Sequence, residues 1–534
     1  MLLYTIIFIS GGAILALELL ASRIMTPYFG VSLYIWTGIL SITLVALALG
    51  YWLGGRLAKR ASRAQDNAWL LRLFGLMPAI AAIAICIACL VYPRAFPQLA
   101  NFDLVAGSFV ACVVLLFVPL VAASAMNPLL VAILLNRGNT DRVADAGAGK
   151  VFFVSTIGSV AGVVVTAFGL IPYVTNFAAV LVISLVLALL ALALVVLGRE
   201  PLGGRTLVGT AAVAGCVFAV ALLWNADAYT GRQGPFAYGS SQWRVEASYQ
   251  SLFGTVKVLR TTPTEDGRFQ RMYFQDGLTQ NTADSTGRST SFYTYGLEAL
   301  ARAYRPDMRG ALVLGLGAGM VPMALAKAGI QVEVVDIDPV APRVAQTYFG
   351  FDPAIARAHE ADARTFLRAC DKQYDVIVTD LFHGDGTPDY LVTREFFRDL
   401  RTCLAPRGVV VFNTFADLTR PSAYAHFLVT LKAELPHLAL HRPRGHGALL
   451  NSFVVAAAQP LPAPARVTLA HLPALYADTL WDMLSAPVPL QPHLFEGGRI
   501  ITDAVNPAAH DFAQMQMAYR RTVVETAPTG LLVN

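Results

Sequence analysis

Residues 311–338, ALVLGLGAGMVPMALAKAGIQVEVVDID, read as strand, glycine turn, helix, strand. The apolar run Ala311–Leu314 is short enough for a buried parallel strand. Gly315, Gly317 and Gly319 follow at once. Glycine permits a tight turn at positive φ and lets backbone approach a ligand closely. Met320–Lys327 has helix-forming composition, and Gly329 is placed to end it. Gln331–Val335 is a second apolar strand, running into Asp336 and Asp338. An acid at the end of the second strand of such a unit is placed to accept hydrogen bonds from ribose hydroxyls. The glycines alone fit an ordinary strand–helix–strand crossover. Strand, turn, helix and terminal acid together point to a nucleoside-binding unit.

The rest of the chain is not uniform. Of 534 residues, 56% are hydrophobic and 14% charged, and the mean hydropathy is +0.55. A soluble enzyme carries about 25% charged residues. The apolar excess lies before about residue 225, so a membrane domain over 1–225 is expected. A small β-rich region follows over 226–300, then a Rossmann-like α/β domain over 301–534. A net charge of +5 with no dense Lys/Arg cluster argues against a nucleic-acid partner. Cys86 and Cys89 form a C-x-x-C inside an apolar helix, which reads as packing, and no metal site is expected.

About 20 apolar residues span a bilayer. Seven segments qualify: 2–22, 34–54, 72–92, 105–135, 151–172, 175–197 and 206–225. The first is too long for a cleaved signal peptide and lacks a basic n-region. The fourth holds Pro119, Asn127 and Pro128, and a kink or break is expected there. The fifth carries Gly158-x-x-x-Gly162, a small-residue face for close helix packing. Ten basic residues fall in one set of loops and two, Arg23 and Arg94, in the other. By the positive-inside rule the N-terminus is cytoplasmic, and seven crossings put the C-terminal domain outside an inner cell membrane. Supply of a nucleoside substrate argues for the cytoplasm, and the two arguments conflict. Glu18 sits within the first helix as a candidate polar contact or a structural hydrogen-bonding group.

In the second half, Gly254–Arg260 and Arg271–Phe274 alternate as antiparallel strands do, and Asp276-Gly277 is a turn signal. Helices are expected at Phe292–Tyr304, Val340–Phe349 and Phe396–Leu404, and buried strands at Tyr374–Thr379 and Gly408–Asn413. Alternating strands and helices imply a mostly parallel sheet covered on both faces. Ligands then sit at the carboxyl ends of the strands, where Asp336, Asp362 and Asp380 are expected to converge.

These stretches carry a resemblance. The chain resembles the membrane-fused spermidine-synthase-like proteins, a branch of the polyamine aminopropyltransferases. The matching residues are SYQSLFGTVKV (248–258), FQDGLTQ (274–280), VDIDP (335–339), YFGFD (348–352), DARTFL (362–367), YDVIVTD (374–380), YLVTREF (390–396) and ITDAVNP (501–507). The resemblance implies that Gln250 and Gln280 contact the tail of a nucleoside sulfonium, S-adenosylmethionine or its decarboxylated form. It implies Asp336 on the ribose, Asp362 and Ala363 at the adenine, Asp276 in a flanking turn, and Asp380 as the catalytic acid–base group. It also implies an amine acceptor, no tightly bound cofactor and a homodimer. Tyr293 or Tyr295 replaces a family tyrosine, with the register open. The family's serine-bearing loop is replaced by DLFHGDG (380–386), which adds His383 and Asp385. His383 is a candidate acid or base near neutral pH, or a lid residue. In the run NTADSTGRSTSFYTY (281–295) Asp284 is the sole acid, so the resemblance to diamine-binding enzymes weakens there.

Aminopropyl transfer to an amine is the leading expectation. Methyl transfer or elimination on the same fold is the second. A transporter or sensor with a nucleoside-binding domain, using Glu18 and the fourth helix, is the third.

Overall fold

In Ala311–Leu314 both faces of the strand are apolar. Ala311 and Val313 point into one buried cluster, Leu312 and Leu314 into another. A period of two with both sides covered is what a central strand of a sandwiched parallel sheet requires. The computed structural model describes all residues except 31–32, 64–65, 138–143, 199–203, 382–386, 418–421 and 445–448. The chain forms two compact units, Met1–Gly239 with Arg521–Asn534, and Ser240–Arg520.

The first unit is helical: α1 (Leu2–Phe29), α2 (Leu33–Arg63), α3 (Asn67–Phe102), α4 (Leu104–Cys112), α5 (Val118–Arg137), α6 (Ala144–Val165), α7 (Asn176–Leu197) and α8 (Arg205–Trp224). Among the described residues, seven helical spans are long and apolar enough to cross a membrane. Of the kink or break expected from its prolines, the fourth span shows no break. A π-helical turn at Val113–Phe117 joins α4 to α5 directly ahead of Pro119. A widened turn absorbs the hydrogen bond that proline cannot donate. Pro128 is carried inside α5. Asn127 is buried, and its Nδ2 donates to Ser155 Oγ of α6 at 3.3 Å, a cross-helix structural bond. All six cysteines are free, and Cys86 and Cys89 are buried in the helical core.

Close packing of α1 on α6 runs through glycine. A Cβ on Gly158 would overlap the carbonyl oxygen of Phe8, and one on Gly162 would overlap backbone atoms of Gly12. Backbones this close need small residues on both sides. Gly158→Leu is expected to force the helices apart and to lower the stability of this unit by about 3 kcal/mol or more. The check is the melting temperature in detergent; an unchanged value would mean that α1 and α6 do not meet through these glycines.

The second unit opens with the antiparallel strands β1 (Ser241–Ser251), β2 (Gly254–Thr261), β3 (Gln270–Gln275) and β4 (Leu278–Asp284), each hydrogen-bonded to the next. After α9 (Phe292–Tyr304) comes a seven-stranded sheet. Its strands are β5 (Gly310–Leu314), β6 (Gln331–Asp336), β7 (Ala356–Glu360), β8 (Tyr374–Thr379), β9 (Leu404–Asp417), β10 (His437–His441) and β11 (Leu449–Ala457). The order across it is β10-β11-β9-β8-β5-β6-β7. Strands β5 to β9 run parallel, while β11 pairs antiparallel with both β9 and β10. The order reverses between β5 and β8, which defines a switch point at their carboxyl ends. Helices α10 (Met320–Lys327) and α11 (Val340–Phe349) cover one face with α9. Helices α12 (Ala363–Arg368), α13 (Arg394–Thr402) and α14 (Ser422–Glu434) cover the other. α13 starts two residues before the expected Phe396, because Thr393 caps it by accepting from the Phe396 amide.

Candidate functional site

The turn after β5 has Gly315 at φ 95° and Gly317 at φ 48°, conformations that favour glycine. A Cβ on Gly315 would overlap the carbonyl oxygen of Asp380, so the loops after β5 and β8 touch backbone to backbone. Gly317 has open space where a Cβ would go and lines a cavity of about 340 Å³. Gln280, Tyr293, Gly315, Asp336, Asp338, Asp362, Ala363 and Asp380 line the same cavity. Four aspartates therefore meet at the carboxyl edge of the sheet, and no Lys, Arg or His lines the cavity among the described residues.

Each acid is held differently. Asp336 accepts from the Leu316 amide at 2.8 Å and from the Asp338 amide at 2.9 Å, which ties the end of β6 to the glycine turn. Asp362 caps α12: its Oδ1 accepts from the amide and hydroxyl of Thr365 at 2.8 and 3.0 Å. Its Oδ2 accepts from the Tyr390 hydroxyl at 3.0 Å. Asp338 accepts from the Val340 amide at 3.0 Å and is only 4% exposed. Asp380 Oδ1 accepts from Asn413 Nδ2 at 2.8 Å.

Burial pushes the Asp380 carboxyl up to about 6; the Asn413 hydrogen bond opposes this and the charge of Asp336 adds to it. Burial likewise pushes Asp338 up to about 6, against the Val340 amide and with the charge of Asp336. Burial, then the charge of Asp380, raises the Tyr293 hydroxyl, so this phenol stays protonated at neutral pH. Between about pH 4 and 6 the folded protein keeps protons on Asp338 and Asp380 that free carboxyls, titrating near 3.9, have lost. Raising the pH through 6 ionises them at a cost in stability. The ligand-free protein is expected to melt lower at pH 7.5 than at pH 5, and Asp338→Asn to lose part of that difference. A cationic ligand has the opposite dependence and binds better as pH rises. Identical pH curves for wild type and variant would refute the Asp338 shift.

Several residues singled out in the sequence lie apart from the cavity lining. Gln250 Oε1 accepts from Thr255 Oγ1 at 2.7 Å, across the β1–β2 hairpin. Asp276, at φ 46°, accepts from the Thr255 amide at 2.9 Å, and its carbonyl accepts from Arg520 at 2.7 Å. Gly319 caps α10 and backs onto Phe351. The Tyr295 hydroxyl donates to the Ser289 carbonyl at 2.6 Å, so of the two tyrosines Tyr293 lines the cavity. Asp284 is held in a turn by Thr286 and Arg288. Glu18 belongs to the helical unit, with Thr43 of α2 beside its carboxyl. His383 and Asp385 lie outside the described residues. Among the described residues no group of three or more His, Cys, Asp or Glu is arranged to hold a metal.

The cavity also has lining that sequence reading missed: Phe253, Tyr273, Gln275, Leu381 and Tyr390. Tyr390 opens the YLVTREF stretch, so a signal was present. The ITDAVNP stretch proves to hold α12: Asp503 makes a two-pronged pair with the buried Arg364, next to Ala363.

The second unit is thus a doubly wound α/β domain with an acidic pocket at its switch point. Residues 291–430 match the spermine/spermidine synthase domain family, and over this stretch the chain is similar to that family. A polyamine aminopropyltransferase of Vibrio vulnificus is 38% identical over 119 residues, 21% of this chain and 40% of that protein. An N-terminal histidine N-methyltransferase of Emericella nidulans is 38% identical over 137 residues, 25% of this chain and 24% of that protein. A solved spermidine synthase from Thermotoga maritima aligns with TM-score 0.38 and 17% identity, over 48% of this chain and 94% of its own. The chain spans less than half the length of either sequence relative.

Proposed function

We propose that this chain is a membrane-bound transferase that takes an aminopropyl group from decarboxylated S-adenosylmethionine, passes it to an amine and releases methylthioadenosine. The observation that carries the reading is a pocket lined by four aspartates, without a basic side chain among the described residues. Such a pocket suits a donor with a sulfonium and an ammonium. It suits a donor that also bears a carboxylate less well, because that anion would meet Asp336, Asp338 and Asp380 unpaired.

In the proposed reaction Asp336 faces the ribose and Asp362 with Ala363 the adenine. The sulfonium carbon is already electrophilic, so the protein chiefly holds two reactants in line. The acceptor amine is cationic at neutral pH and must lose a proton before it attacks. Asp380 first holds the ammonium, then accepts its proton. A carboxyl titrating near 6 is ionised at neutral pH yet more basic than a free aspartate. The new C–N bond forms as the C–S bond breaks, and the sulfur leaves with its electron pair as neutral methylthioadenosine. Seven long apolar helices among the described residues support attachment to a membrane.

The methyltransferase among the relatives supports a second reading, methyl transfer from S-adenosylmethionine in the same pocket. Mass spectrometry of products from each donor, with and without a mixture of amines, separates the two. Methylthioadenosine with an aminopropylated amine is expected. S-adenosylhomocysteine would replace the first reading by the second, and methylthioadenosine without an alkylated amine would point to elimination.

A further inference from the structure

We infer that Asn413, locked in place by Asn451, is a positioning residue that sets the orientation of the Asp380 carboxylate in the pocket. The inference rests on the role proposed above for Asp380. It begins in the register of the sheet. Strands β8 and β9 run parallel with Thr379 opposite Phe412, so the next residues, Asp380 and Asn413, emerge side by side at the ligand edge. Antiparallel pairing of β9 with β11 sets Asn413 opposite Phe453 and Phe415 opposite Asn451, which brings Asn451 to the diagonal of Asn413.

The hydrogen bonds form a directed chain. Asn451 Nδ2 donates to Asn413 Oδ1 at 2.9 Å, and Asn413 Nδ2 donates to Asp380 Oδ1 at 2.8 Å. An isolated amide turns over by 180° at little cost. The donor from Asn451 fixes the Asn413 oxygen on its side and so presents the NH₂ to Asp380. Asn413 is 6% exposed, and a buried amide without these partners would be costly. With Oδ1 of Asp380 tied to β9, Oδ2 is the oxygen left to meet a ligand. Among the described residues the groups facing this carboxylate are Asp336 from β6 and the Tyr293 phenol from α9. Neither is a cation, which leaves the neutral amide as the stabiliser of the charged form.

The test measures the pH dependence of nucleoside-product formation and of decarboxylated S-adenosylmethionine binding, using full-length protein. Asn413→Ala is expected to lower the rate about tenfold through misorientation. It should also move the acid limb of the rate profile up by about one pH unit, with donor affinity near neutral pH little changed. Asn413→Asp, which sets a carboxyl against Asp380, should move the limb further. Asn451→Ala leaves the bond to Asp380 in place but unlocked, and should move it the same way by less; it also serves if Asn413→Ala fails to fold. Acid limbs at the wild-type position in all folded variants, with Asp380→Asn inactive, would overturn the positioning role and leave the proposed function standing. Wild-type activity in Asp380→Asn would remove the proposed role of Asp380 and this inference with it.

Discussion

Asp380→Asn is expected to lower turnover by about a thousandfold, within the range of a lost general base, while nucleoside affinity changes by a few-fold at most. The substitution keeps the shape of the side chain and its place beside Asn413, 2.8 Å from the wild-type oxygen. What it removes is the capacity to take a proton. An alkyl amine titrates near 10.4, so its neutral form is scarce at pH 7 unless a base stands beside it. The proposed donor half of the pocket, with Asp336 and Asp362 bound to their own backbone and side-chain partners, is untouched. Single-turnover rates and titration calorimetry on the same preparation separate the two effects. Equal losses of rate and affinity would mean that Asp380 holds the donor and is not the base.

Gly315→Val is expected to abolish nucleoside binding and to cost about 3 kcal/mol or more of stability. Two independent penalties fall on this residue. Its φ of 95° disfavours any β-branched side chain, and the added atoms would occupy the space of the Asp380 carbonyl oxygen. Relief requires the β5 and β8 loops to part, which moves Asp380 itself. Gly317→Ala provides the contrast: its φ is 48° and a Cβ there meets nothing within 4 Å. That variant should fold, with a smaller loss of affinity as the methyl enters the cavity. Melting temperatures and nucleoside titrations of the pair give the check. A Gly315 variant as stable and as tightly binding as wild type would mean that the two loops are not in contact.

The glycine-turn unit was readable because its signals are local. Met320–Lys327 and Phe292–Tyr304 have the ends expected from composition and punctuation alone. Convergence of Asp336, Asp362 and Asp380 followed from one rule about strand ends, and all three line one cavity. What the sequence hid depends on distant partners. Asn413 looks like the last residue of an ordinary strand until Asn451, 38 positions later, is brought against it. Asp276 and Gln250 have residue types suited to ligand contact, yet Thr255 meets both across the hairpins. The antiparallel strands β10 and β11 are separated by RPRGHGA (442–448), whose Pro443, Gly445 and Gly447 are a turn signal in the sequence. In the fourth apolar span, prolines pointed to a kink or a break, and a single wide turn accommodates the missing donor without a break.

The partnership of Arg364 with Asp503 has a consequence for how the protein is born. The two residues are 139 positions apart, and Arg520 lies 244 positions beyond the Asp276 carbonyl it binds. A ribosome adding about 5–20 residues per second needs roughly 7–28 s to cover the first interval. During that time β8, Asp380, Tyr390, α13 and β9 are added in turn, and the segment that braces α12 comes only after them. The growing chain therefore carries the pocket unbraced until Asp503 has been added.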